Sequence, residues 1–113
     1  MPYLCDYIIM EINKNIDIIM ATYNGEKTIK TSIDSIISQT YTNWKLIIIN
    51  DGGNDISNIV NSYNDPRIKL ISNKYNKGQP FSINRGIKSS DSQYIAYLDD
   101  DDIWYKDHLK VLS

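Results

Sequence analysis

Four short runs rich in β-branched and aliphatic residues, alternating with stretches of helical spacing, constrain this chain more than any other feature. They occupy residues 16–21, 44–49, 67–72 and 94–98. The second is almost continuously apolar, as expected of a strand covered on both faces. Between the first two, residues 28–39 place Ile29, Ile33, Ile36 and Ile37 at i, i+4, i+7 and i+8, the stripe of an amphipathic helix. Asn54 or Asp55 can cap a second helix, in which Ile56, Ile59, Val60 and Tyr63 share a face. A third helix is predicted over residues 79–90, with Pro80 in its first turn and Phe81, Asn84 and Ile87 roughly aligned. Strand and helix thus alternate, and connections of this length carry crossover helices between parallel strands. The predicted fold is α/β, a Rossmann-like βαβ sandwich built on a parallel sheet.

That topology decides where chemistry can sit, because open parallel sheets bind ligands beyond the C-terminal ends of their strands. The fourth run leads directly into Asp99, Asp100, Asp101 and Asp102. Four adjacent carboxylates repel one another, and a bound cation offsets that repulsion. Hard oxygen ligands suit Mg²⁺ or Mn²⁺. The loops after the first and second runs bring Tyr23 and Asp51 to the same edge. Taken singly, these features also read as a solvated acidic turn, a packing tyrosine and a turn aspartate beside Gly52 and Gly53. Their convergence at one edge favours a site.

At 113 residues the chain is a single domain at most. A formal net charge of −2 gives no general electrostatic footprint for nucleic acid. Cys5, the only cysteine, excludes an intramolecular disulfide framework and fits a reducing compartment. No apolar run approaches the roughly 18 residues of a membrane span, and no signal peptide is recognisable, so a cytoplasmic location is expected. Neither G-x-G-x-x-G nor G-x-x-x-x-G-K-[ST] is present, which removes dehydrogenases and P-loop enzymes. A phosphatase with an aspartate nucleophile is expected to carry it after the first strand, where Thr22-Tyr23-Asn24 stands instead. Residues 1–15 form a leader whose patch Tyr7-Ile8-Ile9-Met10 reads equally as helix or edge strand. Residues 104–112 offer a short amphipathic segment through Leu109 and Leu112, read as a final helix with His108 on its surface.

Four blocks, Ile18-Ile19-Met20-Ala21-Thr22-Tyr23-Asn24-Gly25-Glu26, Ser38-Gln39-Thr40-Tyr41, Ile48-Ile49-Asn50-Asp51-Gly52 and residues 94–104, resemble successive motifs of the family 2 glycosyltransferases, of GT-A fold. The resemblance covers about residues 16–112, in the family's order. It implies that residues 16–113 are the N-terminal, nucleotide-sugar-binding half of a GT-A domain, the donor being a nucleoside-diphosphate sugar and most simply a UDP-sugar. Tyr23 would stack on the uracil, Asp51 would accept from its N3–H, backbone at Ala21 and Thr22 would touch the base, and Glu26 would lie near the nucleotide. Asp99 and Asp101 would be the outer members of a DxD motif. Asp101 would be the direct ligand of Mn²⁺ or Mg²⁺, and Asp99 or Asp100 would face the ribose and donor sugar. Asn84 matches an asparagine beneath the diphosphate.

Two positions depart from the family pattern. Asn50 stands where the first of two aspartates is usual, and Ile83 where many members carry arginine, with Arg85 two residues on. Family members transfer the sugar to an acceptor hydroxyl with inversion, and their general base belongs to an acceptor-binding half beyond the DxD. No catalytic base is therefore assigned within this chain, and the acceptor stays unspecified. A half-domain would expose a sheet edge or apolar face, which predicts homo-oligomers. The competing readings are a nucleotide- or metal-binding module without transfer activity and a flavodoxin-like interaction or phosphoacceptor domain.

Overall fold

The computed structural model describes residues 8–11, 15–100 and 109–112. In chain order the elements are β1 (Ile8–Glu11), β2 (Ile16–Thr22), α1 (Ile29–Ile37), β3 (Trp44–Asn50), α2 (Ser57–Asn61), β4 (Ile68–Ser72), α3 (Gln79–Ser89), β5 (Tyr94–Tyr97) and β6 (Leu109–Leu112). Four of the strands form one sheet in the order β4-β3-β2-β5. All its pairings are parallel, with Ile18 opposite Leu46 on one side and Ala96 on the other. The alternation read from the sequence is therefore the observed architecture.

The two central strands are buried along almost their whole length because helices cover both faces. On one face Ile18, Met20, Leu46 and Ile48 pack against Ile29, Ile33 and Ile36 of α1 and Val60 of α2. Each such side chain contributes about 2 kcal/mol by leaving water. The cap of α2 is Ile56, which has no side-chain cap bond, and not Asn54 or Asp55 as expected; the Asp55 carboxylate instead accepts from the Ser57 N–H at 2.9 Å in a local turn ahead of the helix.

The opposite face carries the smaller cluster Ile19, Ile47 and Ile49, under α3. Here the expected stripe does not meet the sheet. Phe81 is 49% and Ile87 42% exposed, and the buried positions of α3 are Ser82 and Gly86. The reason is proximity: a Cβ on Gly86 would lie 2.7 Å from both Ile19 Cγ2 and Ile49 Cδ1. Close approach replaced a large apolar stripe with small residues. Gly86→Ala is accordingly expected to destabilise the fold by about 1–3 kcal/mol through overpacking. Urea denaturation checks this, and an unchanged midpoint would mean that α3 can shift off the sheet without cost.

A second correction concerns the C-terminal segment. Its described part, Leu109–Leu112, is a strand paired in parallel with β1, Met10 opposite Val111, and not the end of a helix. The run Leu-Lys-Val-Leu fits a period of two as well as a helical one, and a backbone partner decides between them. His108 lies outside the described residues. Among the described residues, no helix is long and apolar enough to cross a membrane.

Candidate functional site

The chain adds β3 and β4 on one side of β2, then returns to place β5 on the other. Such a reversal opens a crevice at the C-terminal ends of the two flanking strands. A cavity of about 460 Å³ occupies it. The end of β2 and its loop contribute Ala21, Thr22 and Tyr23, and Asp51 follows β3. Asn76, Gly78 and Gln79 come from the β4–α3 loop and the start of α3, while Asp99 and Asp100 follow β5. Among the described residues the lining thus holds three aspartates and neither lysine nor arginine.

Asp51 is buried and fully engaged. Its Oδ1 accepts from the Lys77 N–H at 2.7 Å and Asn73 Nδ2 at 2.9 Å. Its Oδ2 accepts from the Gly78 N–H and Asn76 Nδ2, both at 2.9 Å. A carboxylate has about four acceptor positions, and the protein fills them all. Burial pushes the Asp51 carboxyl up, but the Lys77 N–H, Asn73 and the Gly78 N–H outweigh it and hold the group below its ordinary value. The residue expected to read a base N–H is therefore also the clasp that fixes the β4–α3 loop.

The two described aspartates after β5 are each anchored through one oxygen. Asp99 Oδ1 accepts from the Tyr97 hydroxyl at 2.6 Å and from Gln79 Nε2 at 3.3 Å. Asp100 Oδ2 accepts from the Thr22 hydroxyl at 2.6 Å, and Ser32 of α1 holds the Asp100 carbonyl at 2.8 Å. Burial, then the hydrogen bond to Asp99, push the Tyr97 hydroxyl up to about 12, so it stays a proton donor at neutral pH. Among the described residues no donor reaches Asp99 Oδ2 or Asp100 Oδ1. Gly25 makes room for this arrangement, since a Cβ there would meet Thr22 Oγ1 at 2.1 Å and Asp100 Oδ2 at 2.6 Å. Two oriented carboxylates with open oxygens fit a hard divalent cation that completes its shell with water or phosphate oxygens. Among the described residues no three His, Cys, Asp or Glu side chains converge, and Asp101 and Asp102 lie outside them.

The other expected residues are distributed as follows. Tyr23 lines the cavity and is 52% exposed. Glu26 stands outside the lining, its Oε1 accepting from Asn54 Nδ2 at 2.9 Å and its Oε2 buried without a partner. Its own backbone N–H, then Asn54, hold its carboxyl below the usual value. Asn84 is exposed on α3, outside the lining. Arg85 donates to the Ser72 carbonyl at 3.0 Å and Asn73 Oδ1 at 2.6 Å, which ties it to the Asn73–Asp51 contact and away from the cavity. Asn76, Gly78 and Gln79 were not anticipated. The topology held the signal: in a parallel sheet the loop after β4 opens on the same edge as the other three.

Fold and site define a doubly wound α/β domain with an acid-lined ligand cavity at its topological switch point. The chain belongs to glycosyl transferase family 2, whose family model matches residues 17–112. It is 41% identical over 97 residues to an Escherichia coli protein described as UDP-Glc:alpha-D-GlcNAc-diphosphoundecaprenol beta-1,3-glucosyltransferase WfgD, covering 85% of this chain and 38% of that one. It is 37% identical over 105 residues to the putative glycosyltransferase EpsE of Bacillus subtilis, covering 89% of this chain and 38% of that one. The chain therefore spans well under half the length of these relatives. Among solved structures, S. aureus TarS 1–349 in complex with UDP superposes with a TM-score of 0.76 at 26% identity, over 82% of this chain and 29% of that one. A mannosyltransferase from Pyrobaculum calidifontis shares the fold at a TM-score of 0.73 and 17% identity, over 88% of this chain and 31% of that one. The GT-A architecture implied by the sequence resemblance is thus the one observed.

Proposed function

We propose that this domain binds a nucleoside-diphosphate sugar, specifically a UDP-sugar, together with Mn²⁺ or Mg²⁺, and serves inverting transfer of the sugar to an acceptor hydroxyl. The observation that carries the reading is the cavity lining itself, which among the described residues has three aspartates and no cationic side chain at a topological switch point. Among the described lining residues the only charged groups a diphosphate meets are carboxylates, which a bound cation would offset. Asp99 and Asp100, followed by Asp101, are the groups to hold it. A bound divalent ion would neutralise the diphosphate and stabilise it as a leaving group.

The chain's own residues supply the rest. The half-exposed Tyr23 ring offers a stacking face for the base, beside backbone of Ala21 and Thr22. Asp51 meets a base N–H when one of its four donors yields; Asn76 is the exposed side-chain donor of that set, its Nδ2 lying 2.9 Å from Asp51 Oδ2 and 3.2 Å from the Asp51 carbonyl. Glu26 supports the base-proximal loop through Asn54. Uridine is favoured because TarS is described with UDP and with UDP-GlcNAc, and WfgD by its UDP-Glc donor.

Calorimetric titration of UDP, GDP and ADP, each with Mn²⁺ and again with chelator, tests the reading. UDP is expected to bind at least about tenfold more tightly than the others, a difference of about 1.4 kcal/mol, and to lose that binding on chelation. Equal affinity for the three nucleotides, or indifference to metal, would sink it.

A further inference from the structure

We infer that the face formed by β4, the loop after it and the adjoining flank of α3 docks on an anionic lipid bilayer, its lysines against the headgroup phosphates and its exposed aromatic rings in the interfacial layer.

The charges of the chain are segregated. Residues 66–90 carry six of the twelve lysines and arginines and none of the fourteen acids, so a chain of net charge −2 is positive along β4 and α3 and negative elsewhere. The fold turns that run into a surface. Ile68 and Leu70 pack against the larger core and Ile71 against the smaller one, so strand alternation places Lys69 on the α3 side of the sheet. Lys45, two residues before Ile47, shares that side. Lys88, near the end of α3, joins both around a cavity of about 450 Å³. Phe81, Arg85 and Lys88 fall at i, i+4 and i+7 on the flank of α3 toward β4, where Arg85 reaches the Ser72 carbonyl. Ahead of the helix, Lys77 Nζ stands 6.0 Å from the centre of the Phe81 ring and Lys74 Nζ 5.5 Å from that of Tyr75.

The cations of this face are free in a particular way. Lys45, Lys69, Lys74, Lys77 and Lys88 are all exposed, and among the described residues no carboxylate lies within ion-pairing distance of them. Asp17, beside the same cavity, is buried and accepts from Asn15 Nδ2 at 2.9 Å and from the Ser90 hydroxyl at 2.5 Å, which leaves Asp91 as the exposed acid of its lining. Both arginines are engaged within the protein. Arg67 pairs with Asp65 at 2.8 Å and stacks 3.8 Å from the centre of the Trp44 ring, while Arg85 holds the Ser72 carbonyl and Asn73 Oδ1. The planar fork that grips a single phosphate in fixed geometry is thus spent, and lysine point charges remain, which suit a diffuse negative surface. Tyr75, 64% exposed, and Phe81 stand among these lysines. The interface of a bilayer takes up aromatic rings and lysines together, and a duplex nucleic acid offers such rings no apolar layer. The acidic remainder of the chain is repelled by the same surface, which selects one orientation.

The test is sedimentation of the 113-residue chain with vesicles of phosphatidylcholine alone or with about 30% phosphatidylglycerol, at about 0.05 M and 0.5 M salt. Lys69→Gln/Lys88→Gln and Phe81→Ser probe the face, and all three positions are exposed, so the core is untouched. Lys27→Gln/Lys30→Gln, at the start of α1 on the other side of the sheet, removes the same net charge as a control. Wild type is expected to bind the anionic vesicles at low salt, and to bind at least about tenfold more weakly at high salt or without phosphatidylglycerol. The Lys69/Lys88 variant should lose about tenfold or more, Phe81→Ser about threefold, and the control less than about twofold. Failure of wild type to sediment with anionic vesicles overturns the inference, as does full binding by either variant of the face. An equal loss in the control overturns it too, by making net charge alone responsible. A duplex DNA oligonucleotide bound as tightly as the vesicles would reassign the face to nucleic acid.

Discussion

Asp51→Ala is expected to lower the unfolding free energy by about 3–5 kcal/mol and to abolish nucleotide binding. The size follows from the four donors that converge on this one buried carboxylate, two of them backbone N–H groups of Lys77 and Gly78. Each buried donor left without a partner costs about 1–3 kcal/mol, and water entering the space recovers part of the sum. Asp51→Asn should cost less, about 2 kcal/mol, because its oxygen still serves one side while its NH₂ faces donors on the other. The loss has a pH signature. The Asp51 carboxyl is held below its ordinary 3.8, so its stabilisation is complete above that pH and declines as pH falls through the lower, folded-state value. Urea denaturation at pH 7 and again near pH 3 should therefore show the gap between wild type and Asp51→Asn narrowing in acid. A variant Asp51→Ala within 1 kcal/mol of wild type at pH 7 would show that the β4–α3 loop holds its shape without the clasp.

The sheet was legible in the sequence because buried parallel strands write themselves as apolar runs. Ile16–Thr22 and Trp44–Asn50 needed nothing further, since both faces of each are covered. The edge of the sheet where chemistry gathers followed from topology, which brought Tyr23, Asp51 and the first two aspartates after β5 to one cavity. What sequence alone left open was set by proximity. Ser82 and Gly86 look like poor helix-packing residues, yet they face the sheet because α3 approaches too closely for anything larger. Asp51 reads as a free acid, and its partners, drawn from residues 73, 76, 77 and 78, appear only once the loop folds back over it. Gln79 was passed over because its partners Tyr97 and Asp99 lie 18 and 20 residues away, at the end of β5 and just beyond it.

Gly25→Ala is expected to weaken metal-dependent UDP binding by about 30- to 100-fold while costing about 1 kcal/mol of stability. A methyl group there would stand 2.1 Å from Thr22 Oγ1 and 2.6 Å from Asp100 Oδ2. Both neighbours are the ends of side chains, so the methyl displaces them and leaves the backbone in place. The Gly25 carbonyl keeps its contacts with the Thr28 and Ile29 N–H groups at the start of α1, 3.0 and 2.9 Å away, which is why the fold loses little. The site loses more, because the hydrogen bond between Thr22 and Asp100 breaks and the carboxylate moves by the order of 1 Å, a shift that costs about 10²-fold where geometry is strict. A double-mutant cycle locates the effect. If the methyl acts through Asp100, then Gly25→Ala should add almost nothing to Asp100→Ala, so that the coupling energy nearly equals the smaller single loss. Calorimetric UDP titration with Mn²⁺ on the four variants measures this directly. Additive losses would mean that Gly25 serves binding by a route other than Asp100, and full affinity in Gly25→Ala would remove Asp100 from the metal set.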